Sequence, residues 1–176
     1  ALPLDADRHS IPISVKTRIG YDIPSIETWI PTLLEEAPAA IALHGRTLSQ
    51  RYAGLADWEQ IARAAEYVRQ TQTIIMGNGD VKSLSDASEK IRQYSVNGVL
   101  IGRAALGNPW VFSNRHPSLA ERFAVTIEHA ELYERAFSQR PKYGFFPMRK
   151  HLSSYIKDFP GASECRQQLV RAENAQ

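Results

Sequence analysis

The 176-residue chain has a single cysteine, almost no excess charge and no long apolar run, and each shortage narrows what it can be. One thiol, Cys165, excludes an intramolecular disulfide and fits a reducing compartment, so a cytoplasmic location is expected. No apolar stretch approaches the roughly 18 residues of a membrane span, and the N-terminus lacks a signal-peptide pattern, so no membrane partner is expected. Nor does "ALPLDADRHSIP" look like a natural start, having no initiator Met and running almost at once into a strand. The formal net charge of +2 is too small to announce nucleic-acid binding by itself. Its distribution says more. Residues 1–114 carry 11 basic and 12 acidic side chains, whereas residues 115–176 carry 10 basic and 7 acidic, so the tail is the face expected to meet an anionic partner. No metal site is expected.

What the chain does contain is an alternation. "IPISVKTRIG" (11–20), "AAIALHGRT" (39–47), "TIIMGNGDV" (73–81) and "NGVLIGRAAL" (97–106) read as β-branched, apolar strands. Between them lie helical patterns. Ile26, Trp29, Ile30, Leu33 and Leu34 share one face of the first, and Asp57 with Gln60 opens the second like a capping box. Leu84, Ala87, Ile91 and Tyr94 face inward from the third. Strands and helices at this pace imply right-handed βαβ crossovers and a parallel α/β sheet. Closing a barrel takes about eight strands, so four imply either a small open sheet or half of a (β/α)₈ barrel.

From residue 115 the pattern turns helical. Ser118 and Glu121 form a capping box, and Leu119, Phe123, Ile127, Ala130 and Phe137 make an apolar stripe that Pro141 and Gly144 end. "PMRKHLSSYIKDFPG" and "SECRQQLVRAE" give two shorter helices parted by Pro160-Gly161. The expected division is a partial barrel over 1–114 and a helical domain over 115–176.

Each strand ends in polar or glycine-rich residues: Lys16-Thr-Arg18, His44-Gly-Arg46, Gly77-Asn-Gly-Asp80 and Gly102-Arg103. Parallel α/β folds bind ligands at the carboxyl ends of their strands. Gly102-Arg103 suits an anion, because glycine admits a close approach and arginine forks onto phosphate oxygens; a salt bridge to a neighbouring helix is the plainer reading. "GNGD" (77–80) is either a similar cradle or a turn. Lys16 either projects into a site or snorkels. His44 either serves a cofactor as donor or proton shuttle, or is a satisfied hydrogen-bonder. Asp80 either accepts from a sugar hydroxyl or caps the helix near Ser83. Trp29, Trp58 and Trp110 read as core, and Cys165 as an inert helix thiol.

Taken in order, "ISVKTRIG", "LHGRTLSQRYAGLADW", "IIMGNGDV", "GVLIGRAALGNPWVF" and "RKHLSSYIKDFPGASECRQQL" resemble the tRNA-dihydrouridine synthase family, from about residue 11 to the C-terminus. The resemblance implies the last four βα units of an FMN-binding TIM barrel followed by an all-helical tRNA-binding domain. It implies an enzyme that uses NADPH to reduce the flavin and then reduces the C5=C6 bond of uridine in tRNA. By position, Lys16 would lie beside the isoalloxazine and His44 would touch it. Asn78, Gly79 and Asp80 would line the ribityl and phosphate region, with Gly102 and Arg103 on the phosphate itself. Arg46, Gln50 and Tyr52 would lie nearer the substrate mouth. Arg149, Lys150, Lys157 and Arg166 would face tRNA phosphates. The family's catalytic cysteine and first four βα units are expected upstream of residue 1, making the missing barrel half a possible partner, so that the chain alone would be inactive. The alternatives are another FMN-dependent barrel oxidoreductase acting on a small molecule, and a non-catalytic RNA-binding fragment.

Overall fold

In the computed structural model, which describes residues 11–137 and 144–175, the alternation read from the sequence becomes a four-stranded parallel sheet. The strands are β1 (Ser14–Arg18), β2 (Ala40–His44), β3 (Ile74–Asn78) and β4 (Gly98–Leu100), and they lie side by side in chain order. Helices α1 (Ile26–Glu35), α2 (Trp58–Val68) and α3 (Leu84–Tyr94) make the connections. All three pairings are parallel and in direct register. Each strand is shorter than its sequence pattern, the ladder stopping before the turns that contain Gly20, Gly45, Gly79 and Gly102. This is an α/β sheet consistent with part of a TIM barrel.

Side chains alternate across a strand, so each register row stands on one face. Ile41, Leu43 and Ile75 stand on the face that α1–α3 cover, and they are fully or nearly fully buried with Ile26, Ile30, Trp58 and Ile61. Gly77 belongs to this face as well: a Cβ there would collide with the Trp58 ring. Glycine at this point lets the indole lie directly on β3, where Trp58 Nε1 donates to Gly79 O at 3.0 Å. Lys16, Arg18, His44, Met76 and Asn78 occupy the opposite rows, which these helices do not cover.

Local signals act where the sequence places them. The Asp57 carboxylate accepts from Gln60 N at 3.1 Å at the start of α2, and Ser83 Oγ accepts from Asp86 N at 3.1 Å at the start of α3. Ser83, not Asp80, is therefore the cap. Trp58 and Trp110 are buried, but Trp29 is 38% exposed. Helical spacing does set Trp29 on the inner stripe of α1; yet α1 flanks the outermost strand, and the indole reaches round to donate from Nε1 to Thr17 Oγ1 at 2.9 Å.

The chain divides into two compact units, Ala1–Gly102 and Arg103–Gln176. In the second, two 3-10 turns (Arg103–Ala105 and Pro109–Phe112) precede α4 (Leu119–Phe137), α5 (Phe146–Tyr155) and α6 (Ala162–Leu169). Ser118 Oγ accepts from Glu121 N at 3.1 Å, as the capping box requires. Ala130 of the expected α4 stripe is buried, but Ile127 is 53% exposed and Thr126 is buried instead. Thr126 tolerates burial because its hydroxyl donates to Arg122 O at 2.7 Å. Pro141 lies outside the described residues. Among the described residues, no helix is long and apolar enough to cross a membrane and no His/Cys/Asp/Glu cluster could hold a metal.

Candidate functional site

The carboxyl end of the sheet gathers chemistry on one face. Arg18, His44 and Asn78 are register partners in adjacent strands, and Lys16 stands one pleat earlier on the same side of β1. Neighbouring strands lie about 4.8 Å apart, so these side chains form a contiguous polar row. Arg18 was visible in the sequence only as part of a polar strand end. Its i, i+2 spacing from Lys16 is the signal that sets it on the same face. It donates from Nη1 to Thr47 O at 2.9 Å and thereby ties β1 to the loop after β2. Asn78 donates from Nδ2 to Leu100 O at 3.1 Å, holding β4 level with β3.

Three cations crowd the row. Partial burial, then the charge of Arg18, lowers the pKa of Lys16 below the ordinary 10.5 of a lysine. His44 responds more strongly. Burial, followed by Arg18, Lys16 and Arg46, pulls its pKa down to about 4, against a smaller upward pull from Asp80. The imidazole is therefore neutral at pH 7. A neutral ring cannot act as a cationic anchor, but it presents one N–H donor and one lone pair.

Next to the row sits an ion pair that is buried on its arginine side. Arg46 is only 2% exposed, and its Nη2 lies 2.7 Å from Asp80 Oδ2. The same guanidinium donates to Gly54 O at 2.6 Å and to Ala53 O at 3.3 Å, while Ala56 N donates to Asp80 Oδ2 at 2.8 Å. Asp80, with φ of 55°, and Gly79, with φ of 133°, give the β3–α3 turn the shape that delivers this carboxylate. The structure thus places Arg46 inside, fastening the β2–α2 loop to the β3–α3 loop, and engages Asp80 in the same knot. Gln50 belongs to this loop too: its Oε1 accepts from Thr47 N at 2.8 Å. Tyr52 is 68% exposed on it. A cleft of about 470 Å³ runs along the free side of β1, lined by Lys16, Arg18, Tyr21, Trp29 and Leu48.

Gly102 closes the first unit and Arg103 opens the second at the start of a 3-10 turn. Gly102 has open space where a side chain would be, and Arg103 is solvent-exposed. In the second unit Arg149 Nε donates to Ala172 O at 2.7 Å and Arg166 Nη1 donates to Ile156 O at 2.7 Å, so both staple helices together. Lys150 and Lys157 are exposed. Cys165 is half-buried in α6, packed with Tyr155 and Ile156.

The family model described as "Dihydrouridine synthase (Dus)" matches residues 6–176, both compact units included. The chain belongs to the dihydrouridine synthase family. It is 37% identical over 173 residues to a probable tRNA-dihydrouridine synthase of Mycobacterium tuberculosis, covering 91% of this chain and 43% of that protein. It is 33% identical over 180 residues to probable tRNA-dihydrouridine synthase 1 of Synechocystis, covering 94% and 49%. The tRNA-dihydrouridine synthase B of Xanthomonas campestris is 35% identical over 178 residues, covering 93% and 52%. The chain spans about half the length of the curated dihydrouridine synthase relatives it matches.

Proposed function

We propose that this chain carries the flavin-gripping strand ends and the RNA-facing helices of a tRNA-dihydrouridine synthase, an oxidoreductase that saturates the C5=C6 bond of uridine. The observation that carries the reading is the polar row: Lys16, Arg18, His44 and Asn78 share one face at the carboxyl ends of adjacent parallel strands. Parallel α/β sheets bind their ligands at this end. The names of the relatives supply the substrate class.

The donor set fits a flavin mononucleotide. A flavin ring offers carbonyl oxygens and ring nitrogens as acceptors. The row meets them with an amine, a neutral imidazole and an amide, and with no thiolate or carboxylate cluster suited to a metal. When bound, FMN would accept a hydride from NADPH and deliver it to the uracil ring. Lys16 would set positive charge beside the ring, and a cation there favours electron density building up in it. His44 would hydrogen-bond to the ring. Asn78 and Gly79 would line the ribityl chain, and Asp80 would shape that turn through Arg46. Gly102 and Arg103 would take the phosphate, the glycine through its open backbone and the arginine through its fork. Gln50 and Tyr52 lie on the loop that Arg46 and Arg18 hold, which is where a nucleotide base would enter. Uridine reduction also needs a proton for C5. In this reading that donor, like the strands that would complete an eight-stranded barrel, belongs to the part of the enzyme that this chain, spanning about half the length of its relatives, does not include.

The test is a flavin titration of the purified chain, read by quenching of FMN fluorescence. Saturable binding is expected. Lys16→Ala and Arg103→Ala should each weaken it by about tenfold or more, since a charge-assisted hydrogen bond is worth roughly 1.5–3 kcal/mol. A flat titration to millimolar FMN, or variants indistinguishable from the parent, would remove the cofactor assignment.

A further inference from the structure

The buried Arg46 does more than fasten two loops. A guanidinium has five N–H donors and no acceptor, so at every contact it must donate. Two of its nitrogens point at the Ala53 and Gly54 carbonyls and at Asp80, which fixes the plane of the group. The third, Nη1, is 3.4 Å from His44 Nε2. Only a lone pair can face it there, so Nε2 carries no proton, and in a neutral ring the proton then sits on Nδ1. Gly79 stands beside the Nε2–Cδ2 edge of the ring, where an added Cβ would come within 3.3 Å of Cδ2.

We propose that Arg46 is a positioning residue that locks His44 in its Nδ1–H tautomer, so that His44 offers a ligand one fixed hydrogen-bond donor and no exchangeable second proton. The chain of constraint runs Asp80 to Arg46 to His44, from the β3–α3 turn to the strand end of β2. The ligand atom suited to such a donor is an acceptor on a heteroaromatic ring, a carbonyl oxygen or an unprotonated nitrogen. That identity rests on the flavin reading; the tautomer does not. The charged groups near His44 are Arg18, Lys16, Arg46 and Asp80, three cations against one anion, and with burial they oppose the imidazolium in which both nitrogens would be protonated.

The experiment is ¹⁵N NMR of the histidine-labelled full chain without ligand, where ring nitrogen shifts and their couplings to ring protons distinguish the two tautomers. His44→Gln identifies the His44 signals among the five histidines. The parent is expected to show His44 predominantly as Nδ1–H at pH 7; a predominantly Nε2–H ring would overturn the proposal without any variant being made. Arg46→Met combined with Asp80→Asn removes both charges together, leaving neither buried alone. In this double variant the ratio is expected to swing to the Nε2–H form that unconstrained imidazole favours, while an unchanged ratio would show that Arg46 is not the cause. Flavin is absent throughout, so these outcomes are independent of the FMN titration. A locked ring with no flavin binding would reject the cofactor reading alone.

Discussion

At the scale of single residues, the consequences of the cationic row fall on His44. Its folded-state pKa of about 4 lies below the 6.5 of an unperturbed histidine, so between those values the unfolded chain binds the proton more readily. Stability from keeping this ring neutral is fully present above about pH 6.5 and drains away as pH falls towards 4. His44→Gln removes the titration while leaving a side chain that can still donate. Urea unfolding midpoints measured at pH 7 and pH 5 should therefore fall more for the parent than for the variant; equal falls would place the histidine in a solvent-like setting. The sequence made His44, Lys16 and Asn78 visible because each ends an apolar run. It could not show that Arg46 turns inward. That depends on Asp80, 34 positions away, and on the carbonyls of Ala53 and Gly54, which a loop presents only once folded.

Among the elements, the decisive contact is α2 against β3. Trp58 reaches Gly79 with its indole N–H and brings Cζ3 and Cη2 up to Gly77, so the helix sits as close as a strand without a side chain permits. Gly77→Ala would press a methyl into the ring, an overpacking that typically costs about 1–3 kcal/mol. Gly98→Ala is the matched control on the other face, with Met76 Cγ 3.7 Å from the new methyl, an ordinary van der Waals contact. Chemical denaturation should show the first variant clearly destabilised and the second close to the parent; comparable losses would mean that glycine is required in these strands for backbone reasons instead. The alternation of elements was legible because hydrophobic period and capping residues are local: Asp57 and Ser118 cap where their sequences say. Trp29 and Ile127 depart from their sequence patterns for the complementary reason. Helical spacing tells which residues share a stripe, but not whether another element arrives to cover it, and Thr126 buries beside Ala130 only because its hydroxyl finds a carbonyl one turn back.

For the whole molecule, charge is unevenly distributed along the chain. Residues 115–176 hold 10 basic and 7 acidic side chains, and among the described residues two kinds of basic side chain stand out. Arg149 and Arg166 spend donors on the carbonyls of Ala172 and Ile156, and Arg122 does likewise with Lys157 O at 2.6 Å. Lys150 and Lys157 stand exposed. If these helices meet RNA phosphates, the exposed lysines carry the contact and the arginines carry the shape. Replacing Lys150 and Lys157 together by alanine should leave the unfolding transition nearly unmoved. The same change should flatten the slope of log affinity against log salt by about two, one released counterion for each lost phosphate contact. Arg149→Ala should do the reverse: it frees a carbonyl and loses packing over Phe146, whose ring lies 5.6 Å away, so the thermal midpoint drops first and RNA binding falls only with it. Filter binding of bulk tRNA at several salt concentrations, paired with thermal melts of each variant, separates the two. A salt slope indifferent to both lysines would move the RNA-facing surface elsewhere on the chain, and would leave the tail's positive balance as no more than a solvated helix face.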